Sequence, residues 1–310
     1  ENTEIDDFHA IDSVAYLFAS YYGEFLVVGL FSLFSPMFAA CYGAGIFTAY
    51  LAEFMGYSVF SRFIPQFETQ NVAVRFLAPK PRHTFIITAH YDSGCAGPLY
   101  DLGILRWLRM LHMFVIASMI VIIGACATDA LGLFTGAAYP ISRYVLWTAE
   151  AYILTCAAAL FFAAARTEDI RGANVNASGV AALLQLAERF SAKPLENADV
   201  WLVATGSSET WMSGMHHFVT SHQLDRKTTW FIDLDRVGAG KLRYITGEGL
   251  VQTFHSAPEM VRAAEHAAAE FAAKPCRRRA LPSDALIPHI RGYKALGVTS
   301  EDGDGRKGEP

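Results

Sequence analysis

A chain of 310 residues has room for one large α/β domain plus membrane segments, or for two modest domains. Its 53% hydrophobic content and mean hydropathy of +0.25 argue against an ordinary soluble enzyme, and a net charge of -5 with a pI near 6.1 argues against a nucleic-acid surface. Five cysteines with neither a CxxC nor a Cys/His zinc spacing give no sign of a disulfide framework or a structural zinc.

Residues 1–24 form an acidic segment without the basic region of a signal peptide. Residues 25–47 are the first apolar block and read as a transmembrane segment; Ser35-Pro36 and several glycines interrupt it, so a buried or re-entrant helix is the other reading. Ile104 to Cys126 and Tyr144 to Ala165 are the next two blocks. Each block is 22 or 23 residues long, which at about 1.5 Å per residue spans the roughly 30 Å hydrocarbon layer. The last two make an inserted hairpin, 104–165, so the chain before and after it lies on one side. Arg62, Arg106, Arg109, Arg166 and Arg171 flank that side and only Arg143 the other, which predicts a cytoplasmic globular domain. His112 and Glu150, inside the blocks, are expected to face a neighbouring helix or a partner subunit.

Residues 48–103 and 166–310 read as a split α/β domain. Val72 to Phe76, Thr84 to Thr88, Val200 to Thr205 and Trp230 to Leu234 are predicted strands. Ser178 to Phe190 is a predicted helix with Val180, Leu183, Leu184 and Leu186 on its apolar side, and Ser213 to His222 and Ala257 to Ala273 are further helices. Strands alternating with helices predict a mostly parallel sheet covered on both faces. Arg277, Arg278 and Arg279 read as a solvated loop. Glu301 to Pro310 is polar and has no closing element, so the natural chain is expected to continue.

In open sheets of this kind, chemistry gathers at the carboxyl ends of strands. Those positions hold His90, Tyr91 and Asp92, then Ser207, Ser208 and Glu209, then Asp235. A His, a Glu and an Asp from three strand ends suit a zinc ion.

Thr88-Ala-His-Tyr-Asp-Ser93 resembles the zinc aminopeptidases of metallopeptidase family twenty-eight, which also holds glutaminyl cyclases and non-catalytic members. Further matches follow in order: Gly172-Ala-Asn-Val-Asn-Ala-Ser-Gly179, Thr205-Gly-Ser-Ser-Glu-Thr210 with Ser213-Gly-Met-His-His-Phe218, Ile232-Asp-Leu-Asp-Arg-Val-Gly238 and Ser283-Asp284. The resemblance implies that His90 and Asp235 are ligands of a first zinc and Glu209 of a second, with Asp92 orienting the His90 ring. It also implies two losses. The bridging Asp is replaced by Val175, which cannot bind a cation, and the general-base Glu by Ser208, whose hydroxyl cannot take a proton from a metal-bound water. The family's final His falls beyond Pro310, and His289 is too early to stand in for it.

Asp101, 11 residues after His90, is a possible substitute carboxylate, and Asp101, Asp92 and Glu248 are candidate replacement bases. With so few ligands, no zinc or only weakly bound zinc is expected. The expectation is a catalytically inactive, membrane-anchored peptidase-fold protein, a binding or scaffold subunit whose partners are lipid and another membrane protein and not nucleic acid. The alternative is a membrane-bound zinc aminopeptidase with a rearranged site. Because the hairpin enters between two ligand loops, the relic cleft is expected to lie near the membrane surface.

Overall fold

The computed structural model describes residues 3–98, 102–133, 135–136, 138–170 and 172–301. In chain order the elements are strand β1 (Thr3–Ile11), helices α1 (Val14–Ser32) and α2 (Pro36–Phe54), strands β2 (Gln66–Phe76), β3 (His83–His90) and β4 (Cys95–Ala96), and helices α3 (Leu102–Ala130) and α4 (Ala138–Ala164). Then come β5 (Glu168–Asp169), α5 (Ser178–Ala192), β6 (Ala198–Thr205), α6 (Ser213–Ser221), β7 (Thr229–Leu234), β8 (Lys241–Glu248), β9 (Phe254–His255), α7 (Pro258–Phe271), β10 (Lys274–Arg278), α8 (Leu286–Ile290) and β11 (Lys294–Glu301). These fall into two compact units. One takes Glu1–Ile11, Gln66–Ala96 and Glu168–Pro310, the other Asp12–Pro65 and Gly97–Thr167.

The second unit is helical and corrects the expected count of three long apolar helices to four: α1, α2, α3 and α4 are each long and apolar enough to cross a membrane. The predicted single span over 25–47 is two helices because Ser35 caps a new one. Its side chain accepts the N–H of Phe38 at 3.4 Å, and Pro36 occupies the first turn, where its missing N–H is no loss. The acidic residues 1–24 hold β1 and the start of α1.

Several polar groups inside this unit are paired across helices. The Tyr50 hydroxyl lies 3.0 Å from His112 Nε2. Arg143 donates to the hydroxyl and carbonyl of Ser32, each at 2.9 Å, and faces Asp129. The carboxyl of Glu150 packs on Gly29, where an added Cβ would lie 1.5 Å from Glu150 Oε1. Glu53, buried at the end of α2, accepts the N–H groups of Val59, Phe60 and Ser61 at 2.6–3.0 Å, pinning the turn that follows.

In the first unit the described residues form a nine-stranded sheet in the order β1-β2-β6-β3-β7-β11-β8-β10, with β9 beside β8. The sheet is mixed. β6, β3, β7 and β11 run parallel, as do β8 and β10, whereas β1–β2, β2–β6, β8–β11 and β8–β9 are antiparallel. Strand–helix alternation predicts parallel pairing only where a covering helix carries the chain back across the sheet, and the outer strands lie beyond that stretch.

Side chains alternate between two faces. Ile86, Trp201, Val203 and Phe231 pack with Met215 and Phe218 of α6, whereas Ile87, Ala89, Val200 and Leu202 pack with Leu183 of α5. One helix position differs from expectation: Leu184 is 67% exposed, because the buried stripe of α5 runs through Leu183, Leu186, Ala187 and Phe190.

Candidate functional site

Three parallel strands deliver the site. β3 ends at His90, β6 leads into Ser207, Ser208 and Glu209, and β7 leads into Asp235. The Nδ1 atom of His90 lies 3.3 Å from Asp92 Oδ1, and its Nε2 atom lies 3.5 Å from Asp235 Oδ1. The Asp92 carboxylate also accepts the N–H of Ser208 at 3.0 Å and of Glu209 at 2.9 Å, so it ties the loops after β3 and β6 together. In that second loop Ser207, Trp211 and Met212 hold left-handed φ values of 55°, 67° and 54°. A side chain strains such a backbone, and surrounding contacts must maintain it.

Val175 sits in the turn Ala173–Ala177 and is buried. A Cβ added to Gly94 would lie 3.2 Å from Glu209 Oε1 and 3.6 Å from Val175 Cγ1, so both side chains face Gly94. The rest of the turn is held by packing and hydrogen bonds. Asn176 donates to the Tyr91 carbonyl at 2.5 Å, Asn174 Oδ1 accepts the Gly238 N–H at 3.0 Å, and Ser178 Oγ accepts the Val237 N–H at 3.1 Å. Gly179 lets α5 close on the sheet, since a Cβ there would meet the Leu234 carbonyl oxygen at 2.5 Å.

The hydroxyl of Ser208 donates to Asp284 Oδ1 at 2.5 Å, and that of Thr205 to Asp284 Oδ2 at 2.6 Å. Behind them Glu248 is fully buried and accepts the N–H of Ser283 at 2.7 Å, so the carboxyl of this candidate base is sequestered. Asp101 lies outside the described residues, as do Arg171 and 302–310.

Two arginines complete the site, one expected in a solvated loop and the other given no role by the sequence. Arg278 is buried at the end of β10, where its guanidinium hydrogen-bonds Asp235 Oδ2; the expected solvated loop at Arg277 to Arg279 is corrected for Arg278. The reason is that a buried carboxylate on the neighbouring loop supplies the charge partner that makes burial tolerable. Arg236 follows Asp235 with φ 58°, its Nε 3.5 Å from Asp235 Oδ1 and a terminal nitrogen 3.5 Å from Glu209 Oε1. A left-handed arginine directly after a strand-end Asp was visible as a sequence neighbour, but nothing in its surroundings marked it.

Burial works on every group here, and partners decide the outcome. Burial alone raises Asp235, yet Arg278, Arg236 and His90 hold it well below the usual carboxylate range. Burial lowers His90, but hydrogen bonds and charge from Asp235 and Asp92 hold it well above 6.5. Asp233 is pushed well up by burial and by Asp284 and Asp235, and Asp284 is pushed up to about 6 by burial against His90, Ser208 and Thr205.

The resemblance implies zinc, and the donor set does not fit it. One oxygen of Asp235 is bonded to a guanidinium, the other faces His90 and Arg236, Glu209 faces Arg236, and Val175 offers no donor. Among the described residues no three His, Cys, Asp or Glu side chains converge to hold a metal ion.

The sequence model described as Peptidase family M28 matches residues 155–306. No curated protein matches the chain in sequence. Solved structures similar to it include BSAP, a zinc aminopeptidase from Bacillus subtilis, at 17% identity over 80% of this chain and 43% of that one, with a TM-score of 0.46. The glutaminyl cyclase of Porphyromonas gingivalis is similar at 13% identity over 96% and 88% of the two chains, TM-score 0.47. A Zn-dependent exopeptidase from Parabacteroides distasonis is similar at 13% identity over 96% and 89%, TM-score 0.45. The chain spans less than half the length of the Bacillus subtilis aminopeptidase. The matched residues, just under half of the chain, and the ordered motifs within them make this chain similar to Peptidase family M28.

Proposed function

We propose that this chain is a membrane-embedded, peptidase-fold protein that hydrolyses no peptide bond and acts as a binding or scaffold subunit of a membrane complex. The observation that carries the reading is Val175, a buried isopropyl group facing Gly94, as Glu209 does, at the position where the family places a shared metal ligand. Ser208 supports it. A hydroxyl committed to Asp284 at 2.5 Å has neither the basicity nor the freedom to accept a proton from water.

Membrane insertion is supported by the four apolar helices and by large outward side chains such as Phe34, Ile120 and Phe161. β1 precedes α1, β2 follows α2, and the two strands pair over nine residues. They therefore lie on one side of any bilayer, and an even number of crossings separates them. The excess of Arg at the helix ends on that side favours the cytoplasm for it. Membrane lipid and another membrane protein are the partners that this arrangement offers.

Zinc per chain, measured by elemental mass spectrometry on the full chain purified in detergent without added metal, tests the reading. Well below one zinc per chain, with no change of melting temperature on chelation, is the expected result. About two per chain, the complement of a co-catalytic site, would overturn it and restore the aminopeptidase alternative.

A further inference from the structure

The carboxylates of the relic site face protein cations. Asp235 Oδ2 is bonded to Arg278, which is only 6% exposed, while Oδ1 lies 3.5 Å from both His90 Nε2 and Arg236 Nε. Glu209 Oε1 lies 3.5 Å from Arg236. Neither arginine is there by chance of a long, loose side chain. Arg278 comes from β10, whose neighbour in the sheet is β8. Arg236 holds a left-handed backbone that its surroundings enforce: the N–H and hydroxyl of Ser300 both hydrogen-bond its carbonyl, at 3.0 and 2.5 Å. Between them the guanidiniums bring two positive charges to these carboxylates, which equals the charge of one divalent ion.

We infer that Arg278 and Arg236 are a built-in cation pair that takes the place of metal charge in this fold, holding Asp235 and Glu209 and barring a divalent ion from between them. The inference rests on the reading that the site is no zinc centre and supplies a cause beyond the loss at Val175. An ion entering here would have to displace a buried guanidinium from its carboxylate and then sit against its charge. Restoring the missing ligand alone therefore leaves the site closed. Removing the arginines opens it.

The test compares four full-length proteins in detergent: wild type, Val175→Asp, Val175→Asp/Arg236→Gln/Arg278→Gln, and Val175→Asp/Arg236→Lys/Arg278→Lys. Bound zinc after gel filtration and the zinc-induced shift of melting temperature are measured for each. The Gln variant is expected to take up about one zinc per chain, at least about tenfold more tightly than Val175→Asp. Wild type, Val175→Asp and the Lys variant, which keeps both charges, are expected to take up essentially none. Should the Gln variant purify unfolded, zinc is expected to restore its cooperative melt, as metal affinity is then folding free energy. Failure of zinc to bind or refold the Gln variant overturns the inference, and so does uptake by the Lys variant. Zinc on Val175→Asp with a zinc-free wild type overturns this inference alone, whereas zinc on the wild type overturns the proposed function as well.

Discussion

Glu248 shows how much a single buried group hides from sequence. Its carboxyl is fully buried, accepts the N–H and hydroxyl of Ser283, and lies 3.8 Å from His289 Nε2. Burial pushes it up to about 7, against the pull of Ser283 and Arg278. The folded state thus holds a proton that the unfolded chain releases near 4.5. Stability from this group is fully present below about pH 4.5 and is lost as pH rises through about 7. Glu248→Gln keeps the shape and removes the titration, so it should raise stability at pH 8 by up to about 3 kcal/mol and change it little at pH 4.5. Melting temperatures of both proteins across that range check this, and parallel curves would contradict it. His289, pushed down to about 4 by burial, works in the opposite sense in wild type, which is why the difference between the two proteins is the quantity to read. At this scale His90, Asp92, Glu209 and Asp235 were legible because they stand directly after apolar runs. Arg278 was not, because its partner Asp235 is 43 positions away in the chain and only the fold brings them together.

Elements were legible where periodicity and turn chemistry agree. β3, β6, β7, α5, α6 and α7 fall where apolar runs and helical spacing put them, within a few residues. β1 escaped because an acidic run gives no apolar alternation strong enough to show a strand at a sheet edge. β8, β10 and β11 escaped because Arg243, Pro275 and Gly297 break the pattern that marks a buried strand. The split of the first apolar block into α1 and α2 was written in Ser35-Pro36, a cap followed by a first-turn proline, and read as an interruption instead. The junction of α5 with the sheet yields a prediction. An alanine at position 179 would put its Cβ 2.5 Å from the Leu234 carbonyl oxygen and 2.9 Å from the Ala89 side chain. Neither neighbour is the free end of a flexible chain, so Gly179→Ala should destabilise the α/β unit by about 1–3 kcal/mol. A lower melting temperature with unchanged zinc content is the expected signature, and an unaltered melt would show that the turn can shift.

At the scale of the whole molecule, the resemblance to Peptidase family M28 was legible from motif order, while the proposed number of crossings follows from the sheet and not from hydropathy. Three spans would separate β1 from β2 across a bilayer, yet these strands pair residue by residue from Thr3 opposite Val74 to Ile11 opposite Gln66. Four spans return the chain to the same side twice, once after α2 and once after α4. The two connections, after α1 and after α3, then share the opposite face, and Arg143 is the positive charge nearest to it. This arrangement predicts labelling by a membrane-impermeant maleimide in a background in which Cys41, Cys95, Cys126, Cys156 and Cys276 are replaced. In sealed, inside-out vesicles Lys227→Cys should react, whereas Phe34→Cys and Leu131→Cys should react only after the bilayer is opened. Right-side-out vesicles should reverse the pattern. Labelling of positions 34 and 131 from opposite sides would mean that one helical pair crosses and the other lies in the membrane without crossing it, because the shared sheet requires the two helices of each pair to cross together or not at all. Labelling of all three from one side would mean that neither helical pair crosses, and the four apolar helices would then have to find their partner in protein.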